Sequence, residues 1–304
     1  MAEPSRSDLS EVIRLFAVPP EDVAPLHAAH DAVCRDAGLT AWVTSVADRL
    51  VGAMGAPSNG PGLGPRPEAP PAVATYLPVL ALAGAAPSTL AFHQSLRVSR
   101  EITAATLADV GRMLARNRVW EQQPGLGDEL AGWLTRHTHG ALFQLGRLQL
   151  ERVAMDADTA LLMRQAEMPC ATGDLVLSVH IPEAGGPLAP AAVDASLATA
   201  QTFFGERFPD ERYAAFVCHS WLLDPQLEAY LPRESNVVSF LRRFRLAPAQ
   251  PDDGDLSVRK FVFGDTTSPL RTLPQRTSLQ KAVVRHLDAG GHWHVRSGWL
   301  PFRG

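Results

Sequence analysis

The chain has 304 residues, 46% hydrophobic and 20% charged, a composition typical of globular proteins with room for two domains. A net charge of −4 provides no global basic field, which excludes nucleic acid and anionic membrane as partners attracted by overall charge. Cys34, Cys170 and Cys218 are too few and too scattered for a disulfide framework, so a reducing cytosol is the expected setting.

The N-terminus, Met1-Ala-Glu-Pro-Ser-Arg-Ser-Asp8, has no apolar core of a signal peptide. The longest apolar run, residues 72–86, contains Pro78 and Gly84 and reads as too short to span a bilayer. A soluble, cytoplasmic protein is the expectation.

Helical patterning dominates the first part. Leu9, Ile13 and Phe16 fall at helical spacing; Pro19-Pro20-Glu-Asp opens a second helix and Thr40–Met54 forms a third. The Gly- and Pro-rich stretch Gly55–Pro67 reads as a loop. Helices are expected to begin at Pro87 and Ser99, the latter with Ile102, Thr106, Val110 and Leu114 on one stripe.

Beyond about residue 125 the period changes. Residues 141–153 alternate like a strand, and Thr159–Gln165 is expected to pair with it as a hairpin. In the next strand Leu175, Leu177, Val179 and Ile181 face one side and Val176, Ser178 and His180 the other. A helix follows from about Pro190, then a strand Tyr213–Trp221 and a short Pro-started helix from Pro225 to Leu231. Asn236–Leu246 and Leu256–Phe263 read as strands, Thr277-Ser-Leu-Gln280 as a capping box, Gly290-Gly291 as that helix's end and His292–Leu300 as a last strand. The fold class is therefore α+β or α/β: a helical N-terminal domain, 1–125, and a mixed central sheet flanked by helices, 126–304.

The chemistry concentrates where strands end. Phe216-Val-Cys-His-Ser-Trp-Leu-Leu-Asp-Pro225 runs from a buried strand into reactive side chains, and ligands in open sheets sit outside the carboxyl ends of strands. Cys218 and His219 point to opposite faces, so they do not form a nucleophile–base dyad. Cys218 reads as a small buried hydrophobe, and His219 as either a satisfied core histidine or a site residue. His180 and Glu183 can each deprotonate an ammonium or merely shape the loop ahead of Pro190. Tyr230 either packs beside Leu227 and Leu231 or serves the site. Arg243 and Arg245, on one strand face, suit phosphate or carboxylate, or a solvated sheet surface. His292 and His294 form an HxH pair with no third or fourth ligand nearby, so no metal is expected; a metal-dependent enzyme built on that pair is the weakest reading.

The element order resembles the acyl-CoA N-acyltransferase (GNAT) superfamily, and more closely a group of two-domain acyltransferase-like proteins with a helical N-terminal domain and a GNAT-like C-terminal domain. The segments that carry the resemblance are Leu145-Gly-Arg-Leu-Gln-Leu-Glu151, His180-Ile-Pro-Glu183, Cys218–Pro225, Ser235-Asn236, Leu273-Pro274, Thr277-Ser-Leu-Gln280 and Gly298-Trp-Leu300. They span roughly residues 130–300, and Ser99-Arg-Glu101 extends the likeness into the helical half.

The resemblance implies transfer of an acyl group from acyl-CoA, or from a carrier-protein thioester, to the amine of a small molecule or peptide. It implies two strands that splay around the thioester, with the first ending at Val179–Glu183 and the second at Cys218–Trp221. His180, Glu183, His219, Ser220 and Tyr230 then become the candidate catalytic residues, with Tyr230 placed to protonate the leaving thiolate. Val179, Ile181, Gly185, Gly186 and Cys218 become the candidate CoA contacts. The usual pyrophosphate loop is replaced by Glu183-Ala-Gly-Gly-Pro-Leu-Ala-Pro190, where two prolines remove N–H donors and Glu183 adds a negative charge. A non-catalytic small-molecule or peptide binding module on the same scaffold is the alternative.

Overall fold

A computed structural model describes residues 6–57, 60–249 and 253–302. The chain divides into two units, Met1–Gln144 and Leu145–Gly304. The first five residues of the segment read above for a leader, and two residues of the Gly55–Pro67 loop, lie outside the described residues.

The first unit is helical: α1 Arg6–Leu15, α2 Pro20–Val33, α3 Ala37–Gly52, α4 Pro71–Ala74, α5 Leu77–Ser95, α6 Arg100–Leu107, α7 Asp109–Trp120 and α8 Asp128–Thr138. Local chemistry sets several starts. Asp36 caps α3 by accepting from the N–H groups of Gly38 and Leu39 at 2.8 and 3.0 Å, and Ser99 caps α6 through the Ile102 N–H. The core helix is α5, buried from Leu77 to Ala83 and packed by α3 and α8. Pro87 lies inside α5 rather than at its start. Burial on almost every face outweighs the roughly 3 kcal/mol that an internal proline costs a helix. The helical stretch Pro71–Ser95 is long and apolar enough to cross a membrane by length and composition, longer than the apolar run alone suggests, and most of it is buried inside the protein.

A buried polar cluster ties α7 to α8. The Asp109 carboxylate lies 3.0 Å from His137 Nε2 and accepts from Arg112 Nε at 2.6 Å and Trp133 Nε1 at 3.2 Å. Burial by itself would raise the Asp109 carboxyl; the ion-paired His137 and Arg112 outweigh it and hold the group well below the usual carboxylate range. A depressed carboxyl contributes stability that is present above its unfolded value, about pH 4, and is lost as pH falls through its folded value. The melting-temperature difference between wild type and Asp109→Asn should therefore shrink as buffers are taken below about pH 4. A difference that stays constant to pH 2.5 would rule out this linkage.

The strands and the remaining helices are β1 Leu142–Leu145, β2 Leu148–Ala154, α9 Ala157–Gln165, β3 Leu175–His180, α10 Pro190–Arg207, β4 Tyr213–Ser220, α11 Asn236–Leu241, β5 Arg245–Leu246, α12 Asp255–Phe263, α13 Ser278–Asp288 and β6 Arg296–Pro301. Short 3-10 turns, Trp221–Leu223 and Pro225–Ala229, follow β4. The sheet order is β1-β2-β3-β4-β6-β5, with β3 and β4 parallel and joined through α10, while β2–β3, β4–β6 and β5–β6 are antiparallel. This is the mixed sheet with flanking helices read from the sequence.

Three expected strands are helices. Thr159–Gln165 belongs to α9, because Asp156 caps it by accepting from the Thr159 N–H at 2.7 Å. Residues 236–241 form α11 behind the Ser235 cap, and only Arg245–Leu246 pairs in the sheet. Residues 255–263 form α12, which Gly264 terminates in the left-handed conformation (φ 67°). In α11 and α12 the cap or the terminating glycine prevails over a Val- and Phe-containing composition, whereas the α9 segment, rich in Ala, Leu and Met, has helix-forming composition as well as its cap.

Candidate functional site

The β3–β4 ladder stops early. Its last pair is Ser178↔Val217, whereas β3 stays paired to β2 as far as His180 and β4 to β6 as far as Ser220. The two parallel strands part at their carboxyl ends while each is held firmly by its other neighbour. Val179–His180 on one side and Cys218–Ser220 on the other border the opening.

Register places the side chains. Val176, Ala215, Val217 and Trp299 share one buried cluster with α9, so that face of the sheet also carries Ser178, His180 and His219. Extending Ser178↔Val217 by two residues sets His180 level with His219 across the opening. His180 Nε2 lies 2.7 Å from Glu151 Oε2, which projects from β2 diagonally across the pair Gln149↔His180. Glu151 is 2% exposed and His180 half-buried. A carboxylate only accepts, so Nε2 carries the proton, and in the neutral ring Nδ1 is the acceptor nitrogen. His219 is exposed, and its Nδ1 meets the Ser297 hydroxyl at 2.8 Å across the β4–β6 pair. It is therefore not a core histidine.

The other candidates are distributed around this opening. Cys218 is fully buried on the opposite face, where burial pushes its thiol up to about 12, which disfavours the thiolate. Ser220 accepts from the Leu222 N–H at 3.1 Å and starts the 3-10 turn. Asp224 is buried and accepts from the His294 N–H and from Gln226, which pins the strand's exit. Tyr230 is engaged elsewhere. His286 Nε2 faces the His292 carbonyl at 3.2 Å and must donate to it, so its Nδ1 accepts the Tyr230 hydroxyl proton at 3.0 Å. His292 pairs with Asp255, and among the described residues no group of three or more His, Cys, Asp or Glu side chains is arranged to hold a metal.

Glu183, Gly185 and Gly186 lie on the exposed loop after β3, with Gly185 and Gly186 at φ 104° and 82°. Val179 is buried and Ile181 half-buried where that loop begins. Arg243 follows α11 instead of lying on a strand, and pairs with Asp194 near the start of α10. Arg245 is on β5, its guanidinium 5.1 Å from the Trp299 ring centroid.

Glu151 and Arg147 were not singled out from the sequence, although both fall within Leu145–Glu151. The available signal was alternation: Gln149 and Glu151 occupy one face of a strand whose Leu148 and Leu150 fill the other, and polar side chains facing the interior of a sheet need a reason.

Two family models cover the chain, an N-acyltransferase N-terminal domain over residues 7–140 and a GNAT-like C-terminal domain over residues 142–300. Several solved structures resemble it over 99% of its length and 90% of theirs. One is an acyltransferase in complex with decanoyl-CoA and teicoplanin, at 33% identity and a TM-score of 0.84. Another is an acyltransferase in complex with CoA and 10C-teicoplanin, at 32% and 0.83. A third is a mutant acyltransferase in complex with octanoyl-CoA, also at 32% and 0.83. No curated protein sequence matches the chain.

Proposed function

The chain belongs to the acyltransferase family that joins an N-acyltransferase N-terminal domain to a GNAT-like C-terminal domain, and from that premise we propose that it transfers a medium-length acyl group from an acyl-CoA thioester to an amine on a small molecule or peptide. The observation that carries this reading is the opening of the β3–β4 ladder with the His180–Glu151 pair at its edge. The octanoyl- and decanoyl-CoA bound by the similar structures support the choice of donor, and their teicoplanin supports a peptide-like acceptor.

In this proposal the thioester carbonyl lies between the parted strands. His180 Nδ1 takes the proton from the acceptor ammonium, and the freed amine attacks the carbonyl carbon. Glu151, on the far nitrogen, holds the ring in the productive tautomer and stabilises the imidazolium that forms. A main-chain N–H on the edge of β3 between Val179 and Ile181 faces the developing oxyanion. Collapse forms the amide and breaks the C–S bond, and the departing thiolate takes a proton. With the Tyr230 proton directed at His286, the exposed His219 is the better candidate for that last step.

The test is to incubate the protein with octanoyl-CoA and a panel of amines that includes deacylated teicoplanin, following free thiol and amide mass together. Stoichiometric release of CoA and appearance of the acylated amine are expected. Binding of octanoyl-CoA with the thioester left intact against every amine would return the chain to the binding-module reading.

A further inference from the structure

The loop that would face the donor's phosphates has no arginine or lysine of its own; Glu183 is its one charged side chain. A cation reaches it from elsewhere. Arg147 lies in the two-residue turn between β1 and β2 and is 92% buried, with 8% of its surface exposed. Its Nε donates to the Gly186 carbonyl at 2.8 Å and its Nη1 to the Pro182 carbonyl at 2.9 Å, so the guanidinium spans the glycine-bearing loop. Its own N–H donates to Ser196 Oγ at 2.7 Å, which fixes the turn to the first two turns of α10. Gly146 makes that approach feasible, since a Cβ at its φ of 67° would come within 2.8 Å of Ser196 Oγ.

Among the described residues no carboxylate neutralises this arginine, and none of them binds its Nη2. A buried cation without a counter-charge is costly, and burial pulls the Arg147 guanidinium down from its usual range. The neighbouring N-terminus of α10 carries no side-chain cap, so its partial positive charge adds to that of Arg147. Two carbonyls orient the guanidinium without satisfying its charge. An anion would.

Resting on the function proposed above, we infer that Arg147 reads a phosphate of the pantetheine-thioester donor. The β1–β2 turn thereby supplies the charge that the loop between β3 and α10 lacks, and Arg147 sets the enzyme's preference for phosphorylated donors. Planar, bidentate contact with phosphate is what a guanidinium does better than an ammonium.

The experiment compares wild type, Arg147→Gln and Arg147→Lys with three donors: octanoyl-CoA, octanoyl-phosphopantetheine and octanoyl-pantetheine, which has no phosphate. Arg147→Gln should raise KM for phosphorylated donors by about 10- to 100-fold, the cost of one charge-assisted contact, with octanoyl-pantetheine unchanged. A loss confined to octanoyl-CoA assigns a phosphate on the nucleotide side, and a loss shared with phosphopantetheine assigns the pantoyl phosphate. Equal losses on all three donors, or none, would overturn the inference and leave Arg147 a brace for the loop. If Arg147→Gln does not fold, the charge-retaining Arg147→Lys decides, with a smaller KM rise still confined to phosphorylated donors.

A binding measurement separates this inference from the function itself. Inorganic pyrophosphate should raise the melting temperature of wild type but not of Arg147→Gln. That result would stand even if no donor turned over, which would count against the function alone. Equal shifts, or no shift in wild type, would sink the phosphate role.

Discussion

Replacing His180 with alanine is expected to lower kcat for acyl transfer by about 10²- to 10⁴-fold, the usual contribution of a positioned general base, with KM for the acyl donor close to that of wild type. The expectation rests on geometry. His180 is held by the β2–β3 ladder at the last residue of β3, two residues past the point where β3 and β4 cease to pair. Its Nε2 donates to Glu151 at 2.7 Å, so in the neutral ring Nδ1 is the basic nitrogen. Glu151→Gln preserves size but exchanges an acceptor-only group for one that can also donate, so the ring loses its enforced tautomer and kcat should fall by a smaller factor. Because the two residues act as a unit, the double variant should be no slower than His180→Ala alone. Single-turnover kinetics with saturating donor would read both effects. A His180→Ala enzyme within twofold of wild type would place the base elsewhere, with His219 the next to replace.

Arg152→Ala should destabilise the C-terminal unit by about 3 kcal/mol, the low end of the cost of removing one partner from a buried ion pair, because Glu211 is half-buried. That corresponds to a fall in melting temperature on the order of 10 °C for a unit of this size. Arg152 is 1% exposed, on β2. Its guanidinium is paired with the Glu211 carboxylate through Nε and Nη2, its Nε is 3.2 Å from the Tyr213 hydroxyl, and it lies 3.8 Å from the Phe208 ring centroid. Burial and the adjacent Glu211 push the Tyr213 phenol up, so it stays protonated and donates to that carboxylate. Losing the arginine leaves Glu211 and Tyr213 facing each other without a cation. Arg152→Met combined with Glu211→Gln should recover part of the loss, because the orphaned charge is then gone. Thermal melts of the three proteins decide the matter, and a single variant that melts within 2 °C of wild type would mean that the pair is solvated or replaceable.

Several of these features are legible residue by residue in the sequence. The capping box Thr277–Gln280 opens α13, with the Thr277 hydroxyl accepting from the Gln280 N–H and the Gln280 side chain accepting in return, and Gly290 adopts positive φ just past its end. The opposite orientation of Cys218 and His219 follows from strand alternation, and the structure buries one and exposes the other. The failures turn on segment ends. Residues 236–241 and 255–263 have strand-like composition, but whether a short segment becomes helix or strand depends on what its ends bind: Asp156 and Ser235 cap their own helices three residues away, while the start of α12 is also tied to a partner that only the fold supplies. Asp255 is held by the Trp293 N–H at 2.7 Å across 38 residues.

The sequence by itself determined the division into a helical half and a mixed-sheet half, the strand that ends in His180, the strand that ends in Cys218-His219-Ser220, and the family resemblance. Those depend on periodicity and short motifs, which act between near neighbours along the chain. Only the tertiary structure decided that Glu151 faces His180, that the Tyr230 proton is committed to His286, and that Arg147 reaches the loop 39 residues ahead of it. Each depends on strand register and on which turn packs against which helix, and a side chain acquires its chemistry from groups that only the packed chain brings within hydrogen-bonding distance.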